Sequence, residues 1–298
     1  MLNQGENKVF IEGILSEINV REGEFTKNGS KVPYLSGEII VKVNEMLDGG
    51  MVENDVPVSF FVTKYTNSGA ENPAYKSVND LRSNFVSIAA SDIDTADRIR
   101  ITSGTIQENA YIGRQEQTVS FPKVNASFFQ KISKADCEPQ TRFQNTICIA
   151  NIRDEVDREG ELTGALVVTG VLVQYGGRAD IVEYKVTNKN AIDHIQTNWQ
   201  KGDTVKICGK LRFSKTTYYT EEEVGFGEPI RTPHTRNTSD LIITSGSAGS
   251  LEGDQAYDTN EIAKALNERK MRLEEMKRKA AQKNITNARP TKGADLGF

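Results

Sequence analysis

The chain has 298 residues, enough for about two domains at roughly 150 residues each. Hydrophobic residues make up 37% and charged residues 26%, which supplies packed cores but excludes a helical membrane protein, because no apolar run approaches the ~20 residues that span a bilayer. Net charge is −4 and uneven: residues 259–298 hold ten Lys/Arg against five Asp/Glu, while residues 1–258 hold twenty-seven against thirty-six.

In chain order, the opening MLNQGENKVF lacks a charged segment followed by an apolar core, so no secretory signal is expected. Short β-branched and aromatic runs then alternate with Gly, Asn, Asp and Ser clusters, the pattern of strands and turns. Val9 to Leu15, Ile39 to Val43 and Val56 to Val62 read as strands. Arg21 to Pro33 reads as a long polar loop in which Asn28-Gly29 favours a hairpin turn. Pro73 suits the first position of a helix over Ala74 to Leu81. Gly113 to Ser133 reads as an insert.

The second half begins near Thr141, with strands at Phe143 to Ile149, Ala165 to Val173 and Ile181 to Val186. Ala191 to Trp199 reads as a short helix capped by Asn190. Thr204 to Phe213 is the clearest strand: Val205, Ile207, Leu211 and Phe213 share one face, and Lys206, Lys210 and Arg212 the other. A second insert, Thr216 to Thr235, precedes a last strand at Asp240 to Thr244. ADRIRITSGTI (Ala96 to Ile106) repeats the pattern of GDTVKICGKL (Gly202 to Leu211), with one extra residue before the first Gly, which suits a bulge. The two halves therefore read as two copies of one β-barrel module. Gly246 to Gly253 is a flexible linker by composition. Asp258 with Glu261 resembles a capping box for a basic helix from Thr259 to about Asn284, whose apolar stripe is interrupted by Arg269 and Lys270. That helix contacts phosphates, docks on a partner, or stands solvated; Ile285 to Phe298 reads as disordered.

The order strand, long loop, strand, strand, helix, strand with glycine, strand is that of the OB-fold. KGDTVKICGKLRF (Lys201 to Phe213) resembles the fourth-strand region of bacterial single-stranded DNA-binding proteins. Carrying two such modules, the chain most resembles the tandem-OB single-stranded DNA-binding proteins of bacteriophages. The expected fold class is therefore mainly β: two OB-like barrels, at residues 1–138 and 139–246, with a linker, basic helix and tail over 247–298. The resemblance implies single-stranded DNA as partner and a non-enzymatic role in replication or recombination. It also gives meaning to the C-terminal Asp295-Leu296-Gly297-Phe298, similar in part to the tip with which the bacterial family binds partner proteins; here Asp295, Leu296 and Phe298 are the candidates.

Binding an unpaired strand takes cations along a groove and rings on which bases stack. Candidate clusters in the first half are Phe25, Lys27, Lys31 and Tyr34, then Lys64 with Tyr65, then Tyr111 with Arg114. In the second half they are Tyr175 with Arg178, Lys185, and the run Arg212, Lys215, Tyr218 and Tyr219. Phe60, Phe61, Phe213 and Tyr184 sit on strands and are expected in the core, and Trp199 packs its helix onto the barrel. No catalytic residue, metal or cofactor is expected: the acids of Glu221 to Glu223 alternate sides on a strand and do not converge, and Gly225-Phe226-Gly227 is no phosphate loop. Cys137, Cys148 and Cys208 form no CxxC pair, which suits a reducing, cytoplasmic compartment, that of a host cell if the chain is viral. The competing reading is an OB-fold protein-interaction scaffold that leaves nucleic acid untouched, which the acidic body favours.

Overall fold

The computed structural model describes residues 2–27, 29–47, 49–113, 117–157, 159–222 and 230–287. The first barrel comprises β1 (Asn7–Lys27), β2 (Ser30–Leu47), β3 (Gly50–Thr63), β4 (Arg98–Ile112) and β5 (Thr118–Asn125), with helix α1 (Pro73–Asn84) between β3 and β4. β1 pairs antiparallel with β2 and β4, β2 with β3, and β4 with β5, while β3 and β5 pair parallel and close the ring. A short β6 (Gln130–Ile132) lies along β4. The second barrel repeats this connectivity with β7 (Gln140–Val156), β8 (Leu162–Val173), β9 (Ala179–Val186), helix α2 (Lys189–Asn198), β10 (Thr204–Glu222) and β11 (Ile230–Gly246). Here β7 pairs with β8 and β10, β8 with β9, β10 with β11, and β9 parallel with β11. Five strands closed in this order around one helix are an OB-fold, and the chain contains it twice, as expected.

The internal repeat falls on β4 and β10, the fourth strand of each barrel. The extra residue of the first copy sits where the β1–β4 register slips between Val9 and Ile11, just before Gly104. In the second copy, β10 crosses from β7 to β11 at Gly209, where a Cβ would meet the Ile242 carbonyl and the Phe143 ring. Only glycine allows that approach.

Alternation places Ile39, Val41, Val56, Val58, Phe60 and Val62 in the first core, and Val205, Ile207, Leu211 and Phe213 in the second. Tyr184 is buried and accepts a hydrogen bond from Asn145 Nδ2 at 2.8 Å. Trp199 packs α2 onto the barrel and donates to the Ser247 carbonyl at 3.1 Å. Both helices begin on an asparagine whose side chain accepts from the first turn: Asn72 for α1, and Asn188, two residues before the expected Asn190, for α2.

The barrels are fused. The first six residues of β1 pair with β7, Asn7 opposite Asn145 through Glu12 opposite Gln140. Two buried polar networks cross the junction. Asn7 Nδ2 donates to the Ile106 carbonyl (2.8 Å) and to Gln174 Oε1 (3.2 Å), and Gln174 Nε2 donates to the same carbonyl (2.8 Å). On the other side, Glu45 of β2 accepts from the Thr141 hydroxyl (2.5 Å) and pairs with Lys210 of β10 (2.9 Å). Asn54 of β3 bonds the Leu211 carbonyl (3.1 Å) and receives the Phe213 N–H (3.1 Å).

Four expectations are corrected. Arg21 to Pro33 is not a loop: β1 and β2 run on as a paired hairpin to Lys27 and Ser30. Thr216 to Thr235 likewise belongs largely to a long β10–β11 hairpin, and the insert after Gly113 contains the fifth strand of the first barrel. Beyond the rim of a barrel both faces of a hairpin are in water, so no apolar alternation marks the strand. The Gly246 to Gly253 segment is not a free linker either. Ser247 N–H donates to the Lys206 carbonyl (2.8 Å) and Leu251 N–H to that of Thr204 (2.7 Å), so its small residues lie along β10.

Helix α3 (Thr259–Asn287) starts on Asp258, whose carboxylate accepts from Asn260 and Glu261 N–H, as the capping pattern implied. Ile262 and Ala265 bury against Cys148, Val171, Val173 and Ala179 of the second barrel. Arg269, which breaks the apolar stripe, grips both oxygens of Glu108 on β4 of the first barrel. The helix is thus a strap across both barrels. Burial pulls the Glu108 carboxyl upward, but hydrogen bonds from Arg269, Ser120 and the Ile181 N–H outweigh it and hold Glu108 below the usual carboxylate range. A depressed acid stabilises fully above its unfolded value and loses that contribution as pH falls through the lower folded one. The adjacent Asp180, pushed up chiefly by burial, runs the other way and costs stability as pH rises through its range. We expect Arg269→Ala to loosen α3 by about 2 kcal/mol, seen as roughly thirtyfold faster amide exchange over Thr259 to Lys270 with the barrels unchanged. Exchange no faster than in the parent would show that the apolar contact alone holds the helix.

Candidate nucleic-acid interface

The register of β1, β2 and β3 decides which side chains share the outer face of the first barrel. Cross-strand rows on that face read Lys27 and Ser30, then Phe25 and Val32, then Gly23, Tyr34 and Thr63, then Arg21, Ser36 and Phe61. Three rings meet there. Tyr34 and Phe61 lie 5.0 Å apart between centroids, Phe25 and Tyr34 5.9 Å, and Phe25 and Phe61 6.4 Å, all tilted rather than stacked flat. Gly23 makes this possible, because a Cβ there would strike the Tyr34 ring. Phe61 is 59% exposed, whereas its neighbour Phe60 is 5% exposed. The expectation that both belong to the core is therefore corrected for Phe61, since adjacent residues of a strand face opposite sides.

Cations frame the cluster. Arg21 is exposed in the same row as Phe61 and has no ion pair among the described residues, and Lys27 at the hairpin end donates to the Asn67 side-chain carbonyl (3.1 Å). Lys31 lies on the opposite face of the hairpin, paired with Glu24 at 2.5 Å. Lys64 sits 5.7 Å from the Tyr65 ring, just past the end of β3. Arg21 and Phe61 were missed from sequence. Arg21 lies in a segment that reads as loop, and Phe61 is obscured by its neighbour Phe60, although period two groups Phe60 with Val56, Val58 and Val62 and turns Phe61 to the other face.

The other candidates are scattered. Tyr111 pairs edge-on with Phe121 at 6.2 Å on the β4–β5 hairpin; Arg114 lies outside the described residues. Tyr175 is 90% exposed in the turn after β8, alone, and Arg178 beside it is tied to Asp180 (3.4 Å). Arg212 is half-buried opposite Asp240 on the β10–β11 hairpin, and Tyr219 is exposed farther out on the same arm. The side chains of Lys215 and Tyr218, most of Glu221 to Pro229, and Asp295, Leu296 and Phe298 lie outside the described residues.

The second barrel differs on its corresponding face. Ion pairs replace the rings: Arg153 with Glu183 (3.0 Å) and Lys185 with Glu155 (2.8 Å). Its β7–β8 hairpin end carries Asp157, Glu159 and Glu161. Lys185 thus faces a cleft of about 1050 Å³ between the barrels, already neutralised by an acid.

No helix among the described residues is long and apolar enough to cross a membrane. The model of one protein family, described as YorF, matches residues 6–279. No curated protein matches the chain. Among solved structures, the wild-type single-stranded DNA binding protein from Thermus aquaticus is similar at 14% identity and a TM-score of 0.49, covering 86% of this chain and 98% of its own. A deletion mutant of that protein gives the same identity and TM-score over 84% and 97%.

Proposed function

The chain belongs to the YorF family, and we propose that it is a non-enzymatic single-stranded DNA-binding protein whose contact surface is the outer face of its first barrel. The observation that carries this reading is the exposed Phe25–Tyr34–Phe61 cluster framed by Arg21 and Lys27 on the strands an OB-fold commonly uses for oligonucleotides. Bases stack on the rings and phosphates meet the two cations, so affinity comes from terms that every nucleotide offers and depends little on sequence. The protein would then coat and protect exposed strands in replication or recombination. On this reading residues 1–138 and 139–246 act as two domains, the second a scaffold, and the C-terminal Asp295, Leu296 and Phe298 serve partner proteins. A titration of the full chain against oligo-dT at rising salt tests it. Saturable binding that weakens with salt, and weaker binding to a duplex of equal length, are expected. No binding at low salt would favour the scaffold reading.

A further inference from the structure

The outer face of the first barrel does not end at Phe61. Beyond the row of Arg21, Ser36 and Phe61 come Asn19, Glu38 and Ser59, then Glu17, Ile40 and Pro57, then Lys42 and Asp55. Glu17, Glu38 and Asp55 line the cleft between the barrels. Glu38 holds the Ser59 hydroxyl at 3.0 Å, and no cation among the described residues pairs with any of the three. Lys42, beside Asp55, is engaged by Glu53 at 3.0 Å instead. The cations that do reach the cleft, Arg153, Lys185 and Arg269, are each held by an acid. One continuous sheet surface therefore changes sign from one row to the next, from Arg21 to Glu38, neither of which has an ion pair among the described residues.

Resting on the reading above, we propose that Glu17, Glu38 and Asp55 form a charge barrier that confines a bound strand to the hairpin half of the first barrel and denies it the cleft and the second barrel. Rows on one face lie about 7 Å apart. At that distance a phosphate opposed by one carboxylate loses roughly threefold in affinity even at water's dielectric constant, and more in a sheltered cleft. The barrier makes the footprint short and sets its end, although the molecule has two barrels.

The test follows oligo-dT affinity against length, from about 4 to 20 nucleotides, in the full chain by fluorescence anisotropy, corrected for the number of binding registers. The parent should gain nothing beyond about 6 nucleotides. Glu17→Gln/Glu38→Gln/Asp55→Asn should bind the short oligomer about as before, the long ones about tenfold tighter, and with a steeper salt dependence. A control with three exposed acids removed elsewhere, Glu159→Gln/Glu161→Gln/Glu252→Gln, should keep the parent's plateau, which separates a local barrier from net charge. Binding by the parent that keeps rising with length, or a triple variant that behaves as the control does, overturns the barrier and leaves the platform standing. If parent and variants alike ignore oligo-dT at low salt, the platform itself is wrong and the barrier falls with it.

Discussion

Replacing Tyr34 and Phe61 together by Ala is expected to weaken oligo-dT binding by at least about thirtyfold, with the thermal unfolding midpoint nearly unchanged. The magnitude follows from stacking: each ring under a base contributes roughly 1–3 kcal/mol, so two rings contribute about 2 kcal/mol at the least. The fold should tolerate the change because both rings lie outside the core. Phe61 projects from β3 opposite the buried Phe60, and Tyr34 rests on Gly23 of the neighbouring strand. The salt slope, which counts phosphates neutralised, should stay as in the parent, since Arg21 and Lys27 remain. Tyr218→Ala/Tyr219→Ala on the β10–β11 arm serves as comparison and should cost less, about tenfold at most. Anisotropy titrations of the two double variants, with circular dichroism to confirm folding, decide the matter. Parent-like affinity in the Tyr34/Phe61 variant would remove the platform from the account.

The second large effect concerns the junction. Lys210→Met should destabilise the protein by about 3 kcal/mol, because it strands the buried Glu45 carboxylate without its cation. Thr141 would still donate its hydroxyl and its N–H to that carboxylate, which neutralises no charge. Adding Glu45→Gln to Lys210→Met should recover much of the loss, since the amide keeps an acceptor for Thr141 and carries no charge. Denaturant unfolding of the parent, the single and the double variant measures the coupling. A single variant within about 0.5 kcal/mol of the parent would mean that water already solvates Glu45 and that this network does not fasten the barrels. Because the network joins β2 and β3 of one barrel to β10 of the other, its loss should also broaden the unfolding transition as the barrels uncouple.

What the sequence settled by itself was the architecture. Period-two alternation in Thr204 to Phe213 named a buried face, the Gly104 and Gly209 repeat marked the fourth strand of each barrel, and Asp258 marked the start of α3. These are local signals, because a strand half in a core and a helix end with orphan N–H groups constrain their own residues. Tertiary structure alone decided which surface can meet a ligand. Phe25, Tyr34 and Phe61 come from three strands, and only the pairing register brings them to one face. Arg269 looked like a flaw in an apolar stripe until Glu108, 161 residues away, supplied its partner. Lys185 and Lys31 read as free cations, but each is held by an acid of another strand, Lys185 by Glu155 across β8 and Lys31 by Glu24 on the adjacent β1. Alternation along one strand gives a side chain one of two faces. What lies next to it across the sheet is set by register and closure, which depend on the whole barrel and leave no mark within any one segment.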